Sequence, residues 1–245
     1  MLRFFRNNPF AVLLVLYMAY QSISSQGFGH PVDWLMSKLI ILPAILIGLS
    51  FHEFAHAFAA DRLGDGTPRS QGRVTISPAA HIDPFGLLAL FFIGFGWGKP
   101  VMVDDRNFKH RRRDSLIVDL AGVTVNFILA FIFAGILQLL VRFQYSFLIT
   151  DLGRIFVEMI FYVIFINIVL MIFNLLPVPP LDGFGILTEV FNLREKEWYY
   201  QVYNNGFIIL LLLIVFDITG KVLGPAVNFI LGILSHVFPV LAMIA

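Results

Sequence analysis

The run His52-Glu53-Phe54-Ala55-His56 puts two imidazoles four residues apart with a carboxylate directly after the first. On an α-helix, positions i and i+4 share a face, so both rings can hold one metal ion while Glu53 reaches a metal-bound water. Two histidines at that spacing can equally hydrogen-bond to neighbouring helices, and in a water-soluble chain the pentapeptide alone is a weak signal. Its setting changes the balance. Residues 35–60 form an apolar stretch long enough to cross a bilayer. In hydrocarbon an ionisable side chain costs about 2.5–3.5 kcal/mol on insertion scales, so it persists where it pairs, binds an ion or lines a wet cavity.

A catalytic zinc takes three protein ligands and keeps a fourth position for water. The chain has no cysteine, so the third ligand must come from His, Asp or Glu. A metzincin continuation fails, because Ala59 and Arg62 stand where that pattern needs Gly and His. Asp182 is the candidate. It lies in Asn174-Leu175-Leu176-Pro177-Val178-Pro179-Pro180-Leu181-Asp182-Gly183, where three prolines end an apolar helix and Gly183 permits an unusual turn. Irregular backbone at membrane depth is tolerated only beside protein or a water-filled cavity. Read by itself, the segment is equally an exit turn at the interface with Asp182 facing water. Read together with the histidines, it supplies the missing anionic oxygen.

The elements that must position these groups are apolar throughout. Hydrophobic residues make up 58% of the 245 and charged residues 13%, with a mean hydropathy of +0.84, which excludes an ordinary soluble domain. A net charge of +1 excludes a generally basic nucleic-acid binder. Apolar stretches at 8–24, 35–60, 116–141, 155–176 and 203–217 read as spanning helices, and 222–244 as a sixth interrupted by Gly and Pro. The piece at 85–97 covers only about 18 Å as a helix and reads as re-entrant. Residues 71–78 alternate like a short β-strand between Gly and Pro, or form a surface loop. The expected fold is an all-α polytopic membrane protein of about six transmembrane helices, with a short re-entrant or β segment near the active site. Residues 1–245 form one domain, with a core at about 35–190 and peripheral helices at 8–24 and 203–244.

Cations report the topology. Arg3, Arg6, Arg62, Arg69, Arg73 and the loop 99–113, with its run His110-Arg111-Arg112-Arg113, are expected on the cytoplasmic side. Counting back from residue 60 then puts His56 and His52 roughly 6 and 12 Å deep from that face.

His52-Glu53-Phe54-Ala55-His56 followed by residues 174–183 resembles the two-part signature of the site-2 protease family, the M50 intramembrane zinc metalloproteases. The likeness extends through Ala60-Asp61-Arg62-Leu63-Gly64-Asp65, His81-Ile82-Asp83-Pro84-Phe85-Gly86, Gly96-Trp97-Gly98-Lys99-Pro100-Val101 and Ala121-Gly122-Val123-Thr124-Val125-Asn126. It covers most of 45–190 and is closest to the compact branch without PDZ or CBS domains. The resemblance implies zinc held by His52, His56 and Asp182, Glu53 as general base, and hydrolysis of peptide bonds in or near transmembrane segments of membrane proteins. It also implies that Asn126 contacts the substrate or the oxyanion, against the plainer role of an interhelical hydrogen bond. Gly122 is expected to let another helix pack closely, and Asn167 to join helices or line the cavity. His81 reads as part of a hydrogen-bonded turn, with a transient ligand role as the sharper reading. The expected partners are a transmembrane substrate and the lipid bilayer, with no nucleic acid. The expected place is the cell membrane, N-terminus inside. Two rivals compete: a non-catalytic zinc-binding membrane protein, which wants ligands at successive depths, and a pseudoprotease, which the intact Glu53 disfavours.

Overall fold

A computed structural model describes residues 31–93 and 96–244, together with Val12, Leu13, Leu16, Tyr17 and Tyr20. The helix expected at 8–24, and Arg3 and Arg6 before it, therefore fall largely outside the described residues. The elements used below are helices α1 (Pro31–Leu63), α2 (Pro84–Ile93), α3 (Arg111–Phe143), α4 (Asp151–Asn174), α5 (Asp182–Phe191), α6 (Tyr199–Val215) and α7 (Ile218–Val237). Four of them, α1, α3, α4 and α7, are long and apolar enough to cross a membrane. The chain is thus an all-α, multi-pass membrane protein.

The apolar runs map onto these helices, and the differences lie at the ends. The 116–141 run extends back to Arg111, because charged residues are good helix formers once outside the apolar layer. The expected sixth stretch divides into α7 and a last helical turn, Leu241–Ile244, on either side of Phe238-Pro239. Residues 85–97 hold only the ten-residue α2, about 15 Å long. The expected strand at 71–78 does not form. Gly72 takes a positive φ of 66°, closing a turn in which Arg73 N–H donates to Pro68 O, and Pro78 opens a helical turn, Pro78–His81. Among the described residues β pairing is confined to an isolated antiparallel bridge between Ile82 and Gly98.

Helices α1, α3 and α4 pack on one another, and small residues let them approach. Ala44, Ala57 and Ala60 of α1 and Ala130 and Ala134 of α3 are completely buried. A Cβ on Gly48 would lie 2.7 Å from Leu170 of α4. Leu137, Ile164, Ile168, Leu231 and Leu234 carry this core outward to α7. Ile128, Phe131, Ile132 and Leu139 of α3 stay exposed, which suits a face turned to lipid.

Candidate metal centre

His52 and His56 lie in the C-terminal half of α1, where the helical repeat sets both rings on one side. Their Nε2 atoms are 3.1 Å apart. After α4 ends at Asn174 the chain turns back, with Gly183 so close that a Cβ there would strike the Leu175 and Leu176 backbone. This fold-back sets Asp182 at the first turn of α5, with Oδ2 3.4 Å from His52 Nε2 and 3.3 Å from His56 Nε2. Residues from two remote parts of the chain thus meet as one group of ligand atoms.

The chemistry of this group fits a divalent cation. His56 Nδ1 lies 2.8 Å from the Val118 carbonyl oxygen and His52 Nδ1 lies 2.7 Å from Asn126 Oδ1. Both partners are acceptors, so both ring protons sit on Nδ1 and both Nε2 atoms present lone pairs. Asp182 Oδ2 is buried without a hydrogen-bond partner. Three lone-pair donors converging at these distances repel one another unless a cation lies between them, and a divalent metal ion meets that need. Tetrahedral zinc, with ligand distances of about 2.0–2.2 Å, requires donor atoms roughly 3.3–3.6 Å apart, close to the separations present.

Gly122 of α3 closes the centre from the other side. A Cβ at this position would collide with His56 Nε2 and lie 2.5 Å from His52 Cε1. Its role is close packing, as expected, with the ligand rings themselves as the neighbour. Glu53, next to His52, accepts a hydrogen bond from Val101 N–H through Oε2 at 3.0 Å. The extended segment carrying Val101 is tied down on both sides. Lys99 N–H donates to His81 O at 2.7 Å, and Asp104 N–H donates to Asp65 Oδ2 at 2.8 Å.

Asn126 has the partners of the plainer reading, hydrogen bonds from α3 to both α1 and α4. It is completely buried, with Oδ1 at His52 and Nδ2 donating to Asn167 Oδ1 at 2.8 Å and to Gly48 O at 3.3 Å. Both Nδ2 protons are thus engaged within the helix bundle. His81 is also completely buried, with Nε2 2.7 Å from Thr75 O, and it stands outside the ligand group. Sequence reasoning missed Asp119, a carboxylate inside the apolar run of α3. It lies against Gly185, three residues past Asp182, where a Cβ on Gly185 would strike it. An ionisable residue within a span is itself a signal of a site, and that signal was available.

A carboxylate-flanked His-His-Asp group buried among membrane-length helices defines a membrane-embedded metallohydrolase. Residues 40–216 match the model of peptidase family M50. The chain belongs to that family. It is 37% identical over 195 residues to a Bacillus subtilis protein named "Putative zinc metalloprotease YwhC", covering 79% of this chain and 87% of that one. Two proteins named "Putative zinc metalloprotease Rip2" are also similar. The one from Mycolicibacterium smegmatis is 28% identical over 193 residues, 76% of this chain and 70% of the relative. The one from Mycobacterium tuberculosis is 29% identical over 205 residues, 81% and 72%. No solved structure matches the chain.

Proposed function

We propose that this protein is an intramembrane zinc metalloprotease that hydrolyses peptide bonds in or near transmembrane segments of other membrane proteins. His52, His56 and Asp182 hold the zinc, and Glu53 is the general base. The observation that carries this reading is the convergence of three buried donor atoms at 3.1–3.4 Å beside Glu53. When bound there, zinc supplies a Lewis acid that activates water and polarises the scissile carbonyl.

The protein's own part follows from how Glu53 is held. Val101 N–H occupies Oε2, which leaves Oε1 to take a proton from the attacking water. That proton passes to the amide nitrogen as the C–N bond breaks, giving an amine and a carboxylic acid. A substrate helix shields its carbonyls by its own hydrogen bonds, so the substrates are segments with helix-weakening residues near the cut. Within the bilayer, α2 is the re-entrant piece and α6, with the helix expected at 8–24, completes six spans. Arg62, Arg69, Arg73 and the basic run at 111–113 face the cytoplasm at the cell membrane.

The test is cleavage of a model transmembrane peptide by purified protein, beside Glu53→Gln. Wild type is expected to cut, and Glu53→Gln to keep its zinc and lose about 10²–10⁴-fold in rate. A Glu53→Gln protein cutting at the wild-type rate removes the base, and a wild type free of zinc at full activity removes the metal.

A further inference from the structure

Both imidazoles must carry their proton on Nδ1 if both Nε2 atoms are to face one ion, and the two achieve this differently. His56 is set directly, by the main-chain carbonyl of Val118. His52 meets a side-chain amide, and an amide can present either its oxygen or its NH₂. The Asn126 Nδ2 group donates to Asn167 Oδ1, and Asn167 Nδ2 in turn donates to the Val163 carbonyl at 2.8 Å. A carbonyl oxygen only accepts. Starting from Val163, the polarity of the row is therefore forced: the Asn167 NH₂ points to Val163, its oxygen to Asn126, the Asn126 NH₂ away from the metal, and the Asn126 oxygen to His52. The Gly48 carbonyl, accepting from the same Asn126 NH₂, acts in the same direction. Asn126 and Asn167 are completely buried and His52 is 4% exposed, so bulk water does not compete for these groups.

We propose that Asn167 is a positioning residue of the metal centre: acting through Asn126, it fixes the proton of His52 on Nδ1 and keeps Nε2 free for the metal. It does so from α4, across α3, to a ligand on α1. Interhelical adhesion alone is indifferent to which way the two amides point. This role depends on the direction. It rests on the zinc reading above, yet it is tested without metal.

The experiment is ¹⁵N NMR of the full-length, metal-free protein labelled at histidine, in detergent, with the His52 signals identified by their absence from His52→Gln. Zinc affinity is measured on the same samples by chelator competition. Wild type is expected to show His52 protonated on Nδ1. Asn167→Asp keeps an oxygen toward Asn126 and is expected to show the same tautomer. Asn167→Leu removes the nearer acceptor and leaves the Asn126 NH₂ only the longer bond to the Gly48 carbonyl at 3.3 Å, so it is expected to move proton density toward Nε2 and weaken zinc binding by about 10–100-fold. A wild type with its His52 proton on Nε2 overturns the proposal, as does a folded Asn167→Leu with wild-type tautomer and affinity. If Asn167→Leu does not fold, wild type and Asn167→Asp decide, and loss of the Nδ1 proton in the latter overturns it. A wild type with the proton on Nδ1 that takes up no zinc breaks the metal reading and with it the metal role of Asn167, whereas a folded Asn167→Leu that keeps tautomer and affinity in a protein that does bind zinc overturns this proposal alone.

Discussion

The histidine side and the aspartate side of the metal centre are built in opposite ways. His52 and His56 belong to one continuous helix, so their relation to each other is fixed by the 3.6-residue turn and needs no other part of the protein. Asp182 arrives after the helix-free residues 175–181, and its place depends on tertiary contacts. A Cβ on Gly183 would strike the Leu175 and Leu176 backbone, and one on Gly206 of α6 would strike Pro179. Local geometry gives a robust pair of ligands, and long-range packing gives the third. The third is the point at which the centre is most easily broken, and the contrast can be tested from there.

The largest effect is expected at Asp182. Asp182→Ala removes the one anionic donor and leaves the two imidazoles unable to hold zinc with the usual three protein ligands. Purified Asp182→Ala is expected to carry no stoichiometric zinc by metal analysis and to cut no transmembrane peptide, with its helix content unchanged. Retention of full zinc by this variant would show that the helical pair suffices, and the contrast would collapse.

The same contrast explains what the sequence made legible. His52, Glu53 and His56 were readable because helical spacing converts residue number into direction. Asp182 was readable because three prolines and a glycine mark a broken helix in an apolar setting, and such a break needs a reason. Four of the expected spans were readable from apolar length alone, with differences at ends such as Arg111, where composition changes before the helix does. Residues 71–78 misled because an alternating pattern between Gly and Pro suits a turn as well as a strand. Here Gly72 and Pro78 each open non-extended backbone. The interhelical bonding of Asn126 was one of its two readings, but the direction of its amide was not readable. Its amide orientation is decided by Asn167 and Val163 on another helix, and nothing in the residues around Asn126 carries that information.

A middle-sized effect sharpens the histidine side. Gly122→Ala introduces a Cβ into the space of both imidazoles, and the rings have no free direction because each Nδ1 is hydrogen-bonded. Zinc affinity is expected to fall by about 10–100-fold, the range seen when ligand orientation is disturbed. Gly135→Ala, on the same helix, is the control. Its Cβ would sit 3.5 Å from the Phe238 ring, an ordinary contact, and zinc binding is expected to be unchanged. Equal losses in both variants would point to general disruption of α3 and not to the imidazoles.

The last effect falls on stability and not on zinc, and separates the metal from the segment that holds Glu53. Asp65 is completely buried just past α1 and accepts hydrogen bonds from Thr67 N–H, Thr67 Oγ1, Asp104 N–H and Asn107 Nδ2. It thereby anchors the 99–107 segment whose Val101 N–H holds Glu53. Burial pushes the Asp65 carboxyl up, but the hydrogen bonds from Thr67, Asp104 and Asn107 outweigh it and leave its pKa below the usual carboxylate value. Its folded pKa is lowered, so its stabilisation is complete above the unfolded value of about 3.9 and is lost as pH falls through the folded value. Asp65→Asn is expected to lower stability by about 1.5–3 kcal/mol at neutral pH, the worth of a hydrogen bond to a charged group, with zinc content unchanged. Unfolding midpoints at pH 7 and pH 3 check the sign, because the gap between wild type and Asp65→Asn must narrow in acid. A gap that widens at pH 3 would mean that the ionised carboxylate is not what holds the segment. Loss of zinc at pH 7 would mean that the segment and the metal centre are one cooperative unit.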